Sequence, residues 1–112
     1  MTRHSPRTAK LHDLASARAG DKGDTASIAV IADTREAYAA IKAQLTPERL
    51  RAEFPNRFRG PVRRYELPAL LALNFVAERA LDGGVNASLN LDAHGKALSY
   101  LLLDMEIELP GG

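Results

Sequence analysis

The sequence predicts an α+β fold, a two-layer sandwich with helices on one face of a mainly antiparallel sheet. Strand-like runs are interleaved with segments of helical spacing, the C-terminal part reads as two strands joined by a turn, and neither a repeat nor a long linker divides the chain. Its 112 residues suffice for one hydrophobic core, and 46% hydrophobic against 26% charged residues is the balance of a globular protein.

Residues 1–10 are basic and lack the apolar core of a secretory signal, so they read as a flexible arm ahead of a single domain over 11–109. Leu11 to Ala17 and Thr25 to Ala32 read as strands, the second through the β-branched Ile28, Val30 and Ile31. Arg18 to Asp24 between them is rich in loop formers. Asp33 and Glu36 have capping-box spacing, so a helix is expected from there, with Tyr38, Ile41 and Leu45 on its inner face. Thr46-Pro47-Glu48 starts a second, short helix that ends before Pro55. Asn56 to Pro61 is loop, and Val62 to Leu67 a third strand.

Pro68 is expected to open the central helix, with Leu70, Leu73, Ala77 and Leu81 on one stripe and Gly83 as its stop. Val85, Ala87, Leu89 and Leu91 alternate with polar residues as a strand does, Asp92 to Lys96 turns the chain, and Ala97 to Leu109 returns as a long strand.

The absence of cysteine excludes disulfides and thiolate metal sites. The longest apolar stretch, Ala69 to Ala77, is interrupted by Asn74 and too short for a membrane span, so a cytoplasmic protein without a membrane partner is expected. A net charge of +1 supplies no overall field that would call for a nucleic acid.

Three segments carry a resemblance. They are Leu11-His-Asp-Leu-Ala-Ser-Ala-Arg-Ala-Gly-Asp-Lys-Gly-Asp24 running into Ile28-Ala-Val30, then Tyr65-Glu-Leu-Pro68 with Leu73-Asn-Phe75, and Gly83-Gly-Val85 with Asp92 and Gly95-Lys96. In order and spacing they resemble the ferredoxin-like C-terminal domain of the acyclic terpene utilisation (AtuA) family. The resemblance implies a ferredoxin-like fold and a setting in the breakdown of branched isoprenoids through coenzyme A thioesters. In larger members this domain follows a substantial N-terminal domain. It therefore implies a free-standing version here, with a separate AtuA N-terminal-domain-like subunit as a possible partner.

The Gly20-Asp-Lys-Gly-Asp24 loop, with Arg18 and Asn74 as neighbours, is the expected polar site. Gly20 and Gly23 let backbone N–H groups approach an anion such as an acyl-CoA-like ligand, and Lys22 adds positive charge. It is not a P-loop, because a strand follows where a helix should. Asp21 or Asp24, alone or with Asp13, can serve as a general base, and His12 is the histidine nearest this segment, so a small thioester-metabolising enzyme is the alternative to an accessory or assembly domain. Turn formation explains the same glycines and aspartates without any chemistry. Asn74, Glu78 and Asp82 recur every fourth residue, the spacing of a solvated helix stripe. Neither a metal nor a cofactor is expected.

Arg49, Arg51, Arg57, Arg59, Arg63 and Arg64, with Phe54 and Phe58, permit a nucleic-acid surface, a weaker alternative than contact with an acidic protein. On the expected last strand Leu98, Tyr100 and Leu102 share the side turned away from the helices. Covering that side predicts a homodimer or higher oligomer.

Overall fold

A computed structural model describes residues 7–23, 25–80 and 98–109. Among the described residues six strands form two antiparallel sheets: β1 (Arg7–Lys10) pairs with β6 (Glu106–Leu109), and β2 (Ala15–Lys22), β3 (Thr25–Ala32), β5 (Ala72–Ala77) and β4 (Val62–Leu67) lie side by side in that order. The helices are α1 (Arg35–Gln44), α2 (Pro47–Glu53) and α3, which covers residues 98–103. Among the described residues the order from β3 onward is strand, helices, strand, strand, helix, strand, and β5 lies antiparallel between β3 and β4. That is the split βαβ arrangement of the ferredoxin-like fold. The place beside β3 is taken by β2, while β6 pairs with β1.

Strands β3 and β4 and helix α2 match the sequence expectation. Thr46 caps α2, its hydroxyl accepting from the Arg49 N–H at 3.1 Å. Helix α1 begins one residue later than expected, because Thr34 and not Asp33 is the cap, with its hydroxyl accepting from the Ala37 N–H at 3.0 Å.

Five expectations are corrected. Arg7–Lys10 is a strand and not part of a flexible arm, since β6 offers it a ladder from Arg7 opposite Leu109 to Lys10 opposite Glu106. Leu11–Asp13 is a 3-10 turn rather than the start of a strand, and it buries Leu11. Arg18 to Lys22 continues β2 instead of forming a loop: each residue has a partner on β3, leaving only Gly23 and Asp24 between the paired Lys22 and Thr25. Gly23 has φ +65°, the left-handed conformation that the first central residue of a tight hairpin requires.

The fourth correction concerns the expected central helix. Pro68–Leu70 is a single 3-10 turn, Leu71 adopts φ 54°, and β5 follows. Leu73, Phe75 and Ala77 are buried with period two, and β3 and β4 occupy both edges of the strand. Pairing on both edges supplies a backbone partner for every group that a helix would have satisfied internally. The proposed stop at Gly83, the strand from Val85 to Leu91 and the turn from Asp92 to Lys96 lie outside the described residues.

In the fifth correction the expected long last strand divides into α3 and β6. Leu98, Leu102 and Met105 fall at helical spacing and are buried, whereas Tyr100 is exposed. Leu98 and Leu102 thus belong to the core and cannot form an open sheet face with Tyr100.

The core lies between the helices and one face of the four-stranded sheet. Ile28, Val30, Leu73 and Phe75 from the sheet meet Ile41, Leu45, Leu50, Leu98 and Leu102. Polar side chains tie its rim. The Arg64 guanidinium donates from NH1 to the carbonyls of Lys42 at 2.7 Å and Leu45 at 2.9 Å, satisfying acceptors that the end of α1 leaves unpaired. Gln44 treats β6 as a neighbouring strand would: its amide donates to the Glu108 carbonyl and accepts from the Glu108 N–H, both at 2.7 Å. Arg49 donates to the Glu106 carbonyl at 2.6 Å, so side chains occupy the β6 edge that β1 does not.

Gly60 is buried where the chain enters β4, and a methyl group there would run into the Glu78 carbonyl oxygen. Backbone atoms cannot yield as a flexible side chain does, so Gly60→Ala should lower stability by about 2 kcal/mol. Chemical denaturation would measure this, and a midpoint equal to that of the wild type would contradict the packing described.

Candidate functional site

In an antiparallel sheet, directly opposed residues project to the same face. The register therefore places Arg18, Ala29, Asn74 and Tyr65 in one row across all four strands, on the face away from the core. Gly20, Ser27, Val76 and Arg63 form the next row, and Ser16, Ile31, Ala72 and Leu67 flank it on the other side. Small residues fill much of the middle, while Arg18 stands at one edge and Arg63, Tyr65 and Leu67 at the other. The result is a shallow trough with a floor of small and mostly apolar residues, broken by Ser27 and Asn74, and an arginine at each margin.

Arg18 and Asn74 are separated by one intervening strand, about 10 Å at ordinary strand spacing, within the span their side chains share. Asn74 is partly buried on a central strand. It is not on a helix, so the stripe with Glu78 and Asp82 does not form. Gly20 is exposed opposite Ser27, and a methyl added there meets nothing within 4 Å. Its small size keeps the trough low and relieves no clash. Asp21 sits opposite Ala26 and Lys22 opposite Thr25 at the hairpin end of β2, Gly23 forms the turn, and Asp24 lies outside the described residues.

His12 and Asp13 are not brought to the hairpin. They stand exposed at the other end of β2, His12 Nδ1 lying 3.2 Å from Asp13 Oδ1. At about 3.3 Å per residue the length of β2 puts them on the order of 25 Å from Gly23. His12 and Asp13 are therefore not grouped with the hairpin end of β2, where Asp21 lies. Among the described residues there is no group of three or more His, Asp or Glu that could hold a metal ion.

The arginine cluster also divides. Arg64 and Arg49 anchor α1 and β6, Arg49 in addition contacting Glu53 at 2.6 Å, and Phe58 is buried in the core. Only Arg63 of this group joins the trough. Tyr65, 47% exposed, completes the central row and was missed as a site residue. The signal was available, because the strand Val62 to Leu67 was legible and its alternation places Tyr65 with Arg63 and Leu67.

Two clefts lie elsewhere. One of about 510 Å³ runs between α1 and β6, lined by Glu36, Ala39, Ala40, Gln44, Glu108 and Leu109. The other, about 530 Å³, is lined by Arg35, Tyr38, Pro68, Ala69 and Leu71. Neither contains a residue of the trough. No helix among the described residues is long and apolar enough to cross a membrane.

Comparison of the chain with curated proteins and with solved structures gives no match. A family model does match: the AtuA ferredoxin-like domain, over residues 9–108. That span takes in the β2–β3 hairpin, the sheet and α3 together, and the chain accordingly belongs to the AtuA ferredoxin-like domain family.

Proposed function

We propose that this protein is an accessory or assembly domain in acyclic isoprenoid breakdown, whose open sheet face receives a separate subunit of the kind that precedes this domain in larger family members. The observation that carries the reading is the Arg18–Ala29–Asn74–Tyr65 row. A mostly apolar floor of small residues with Arg18, Arg63 and Tyr65 at its margins is the composition of a protein contact surface: aromatic and arginine side chains anchor, and the small central residues let a partner approach closely. Family membership supports the metabolic setting. The separation of His12 and Asp13 from the hairpin favours binding over catalysis, since acid–base work requires the participating groups within hydrogen-bond reach of one substrate. An acyl-CoA-like ligand would be held at the same end of the sheet, near Gly20 and Lys22.

Co-expression with a tagged AtuA N-terminal-domain subunit tests this. The two should co-purify and elute together, with the combined mass by light scattering. Separate elution of the two folded chains would overturn the reading.

A further inference from the structure

Strand β4 is the outer strand of the four-stranded sheet, and Tyr65, Leu67 and the adjacent Leu70 are 47%, 42% and 66% exposed. Its backbone polarity follows from one bond: the Glu78 N–H donates to the Pro61 carbonyl at 2.9 Å, just outside the paired Val62 and Ala77. Hydrogen-bonded positions alternate along an antiparallel ladder. Arg63, Tyr65 and Leu67 therefore exchange bonds with β5, and the N–H and C=O groups of Val62, Arg64 and Glu66 point outward.

We propose that this edge pairs with β4 of a second copy, antiparallel about a two-fold axis centred on Tyr65, joining the two sheets into one. The side chains select both the partner and the register. A two-fold axis perpendicular to the sheet keeps every residue on its own face, so it must pass beside one residue and face that residue with itself. Centring on Arg63, Arg64 or Glu66 opposes a charge to its own copy, which is unfavourable directly across a ladder. Centring on Leu67 leaves most of the strand unpaired. Centring on Tyr65 puts Arg64 opposite Glu66 of the second copy, and the reverse, while Tyr65 meets its own copy and Arg63 lies along Leu67.

The charges are already positioned for this. Arg64 is held by the α1 carbonyls through NH1, and its NH2 lies 3.2 Å from Glu66 Oε2 of the same chain, so Glu66 of the second copy adds to an existing cluster. Arg64 and Glu66 are also the residues whose backbone groups point outward, and facing residues at such positions exchange both bonds. The pairing covers the outer side of Arg63, Tyr65 and Leu67 and leaves the middle strands of the trough open, and it stands or falls independently of the proposed subunit.

The chain contains no cysteine, which makes a direct test possible. Facing residues that do not exchange hydrogen bonds have Cα atoms about 4.5 Å apart, inside the range that a disulfide spans. Tyr65→Cys should therefore convert to a disulfide-linked dimer under mild oxidation. In Leu67→Cys the two thiols would stand four residues apart, about 13 Å, and should stay reduced. Glu66→Lys, which faces Arg64 with a cation, should weaken the dimer by at least about tenfold without changing the circular dichroism spectrum. A wild-type monomer by light scattering at micromolar concentration overturns the proposal. So does cross-linking of Leu67→Cys as fast as that of Tyr65→Cys.

Discussion

Leu102→Glu should unfold the protein and not merely change its association. Leu102, on α3, is fully buried in the core. Replacing it removes a core side chain and places a carboxylate where no cation is available among the core residues, a combination that costs upward of about 4 kcal/mol. A domain of this size has on the order of 5–15 kcal/mol in total. Tyr100→Glu, two residues away and exposed, should melt within a few degrees of the wild type. Had residues 97–109 formed one strand, Leu98, Tyr100 and Leu102 would share a face and the two substitutions would act alike. Thermal melts by circular dichroism distinguish these cases, and a folded Leu102→Glu with an unchanged midpoint would contradict the position of α3.

The second large effect lies on β5. Phe75 is fully buried, opposite Ile28 on β3 and Arg64 on β4. Phe75→Ala should cost about 3–5 kcal/mol, whereas Leu70→Ala, at a residue 66% exposed, should stay within about 0.5 kcal/mol. A helix over 68–81 would reverse this order, because Leu70 lies on its apolar stripe and Phe75 does not. Denaturant titration of the two variants reads the difference. Equal losses, or a larger loss at Leu70, would contradict the strand.

These two segments show where the sequence was legible and where it was ambiguous. Strands β3 and β4 were readable because their apolar residues alternate and turn formers bound them. Residues 68–81 and 97–103 contain apolar residues at nearly every position, so a period of two and a period of 3.6 both find matches there. Leu70, Leu73, Ala77 and Leu81 satisfy the helix period as well as Leu73, Phe75 and Ala77 satisfy the strand period. The decision is made by tertiary pairing, with β3 and β4 waiting on both edges of β5, and single-segment periodicity contains no trace of that. The hairpin was misread for the opposite reason: Gly20 and Gly23 suggested a loop, but only Gly23 has the conformation that needs glycine.

Much of the candidate site was nevertheless visible. Arg18, Gly20 and Asn74 were singled out from the sequence and lie in adjacent rows of one sheet face. What placed Tyr65 beside them is the β4–β5 register, which requires Asn74 to be on a strand. His12 was grouped with the loop by proximity in sequence, and the extended form of β2 carries it to the far end.

The most direct test of the trough as a contact surface is a calorimetric titration of the AtuA N-terminal-domain subunit into wild type and Ala29→Arg. Ala29 lies at the centre of the row on a middle strand, so a guanidinium there projects from the floor while the core and the β4 edge are untouched. The wild type should bind with one-to-one stoichiometry, and Ala29→Arg, with an unchanged melting temperature, should lose at least about tenfold in affinity, the loss expected when a cation is buried without a partner in an interface. Equal binding by both proteins, or no heat with the wild type, would contradict the account.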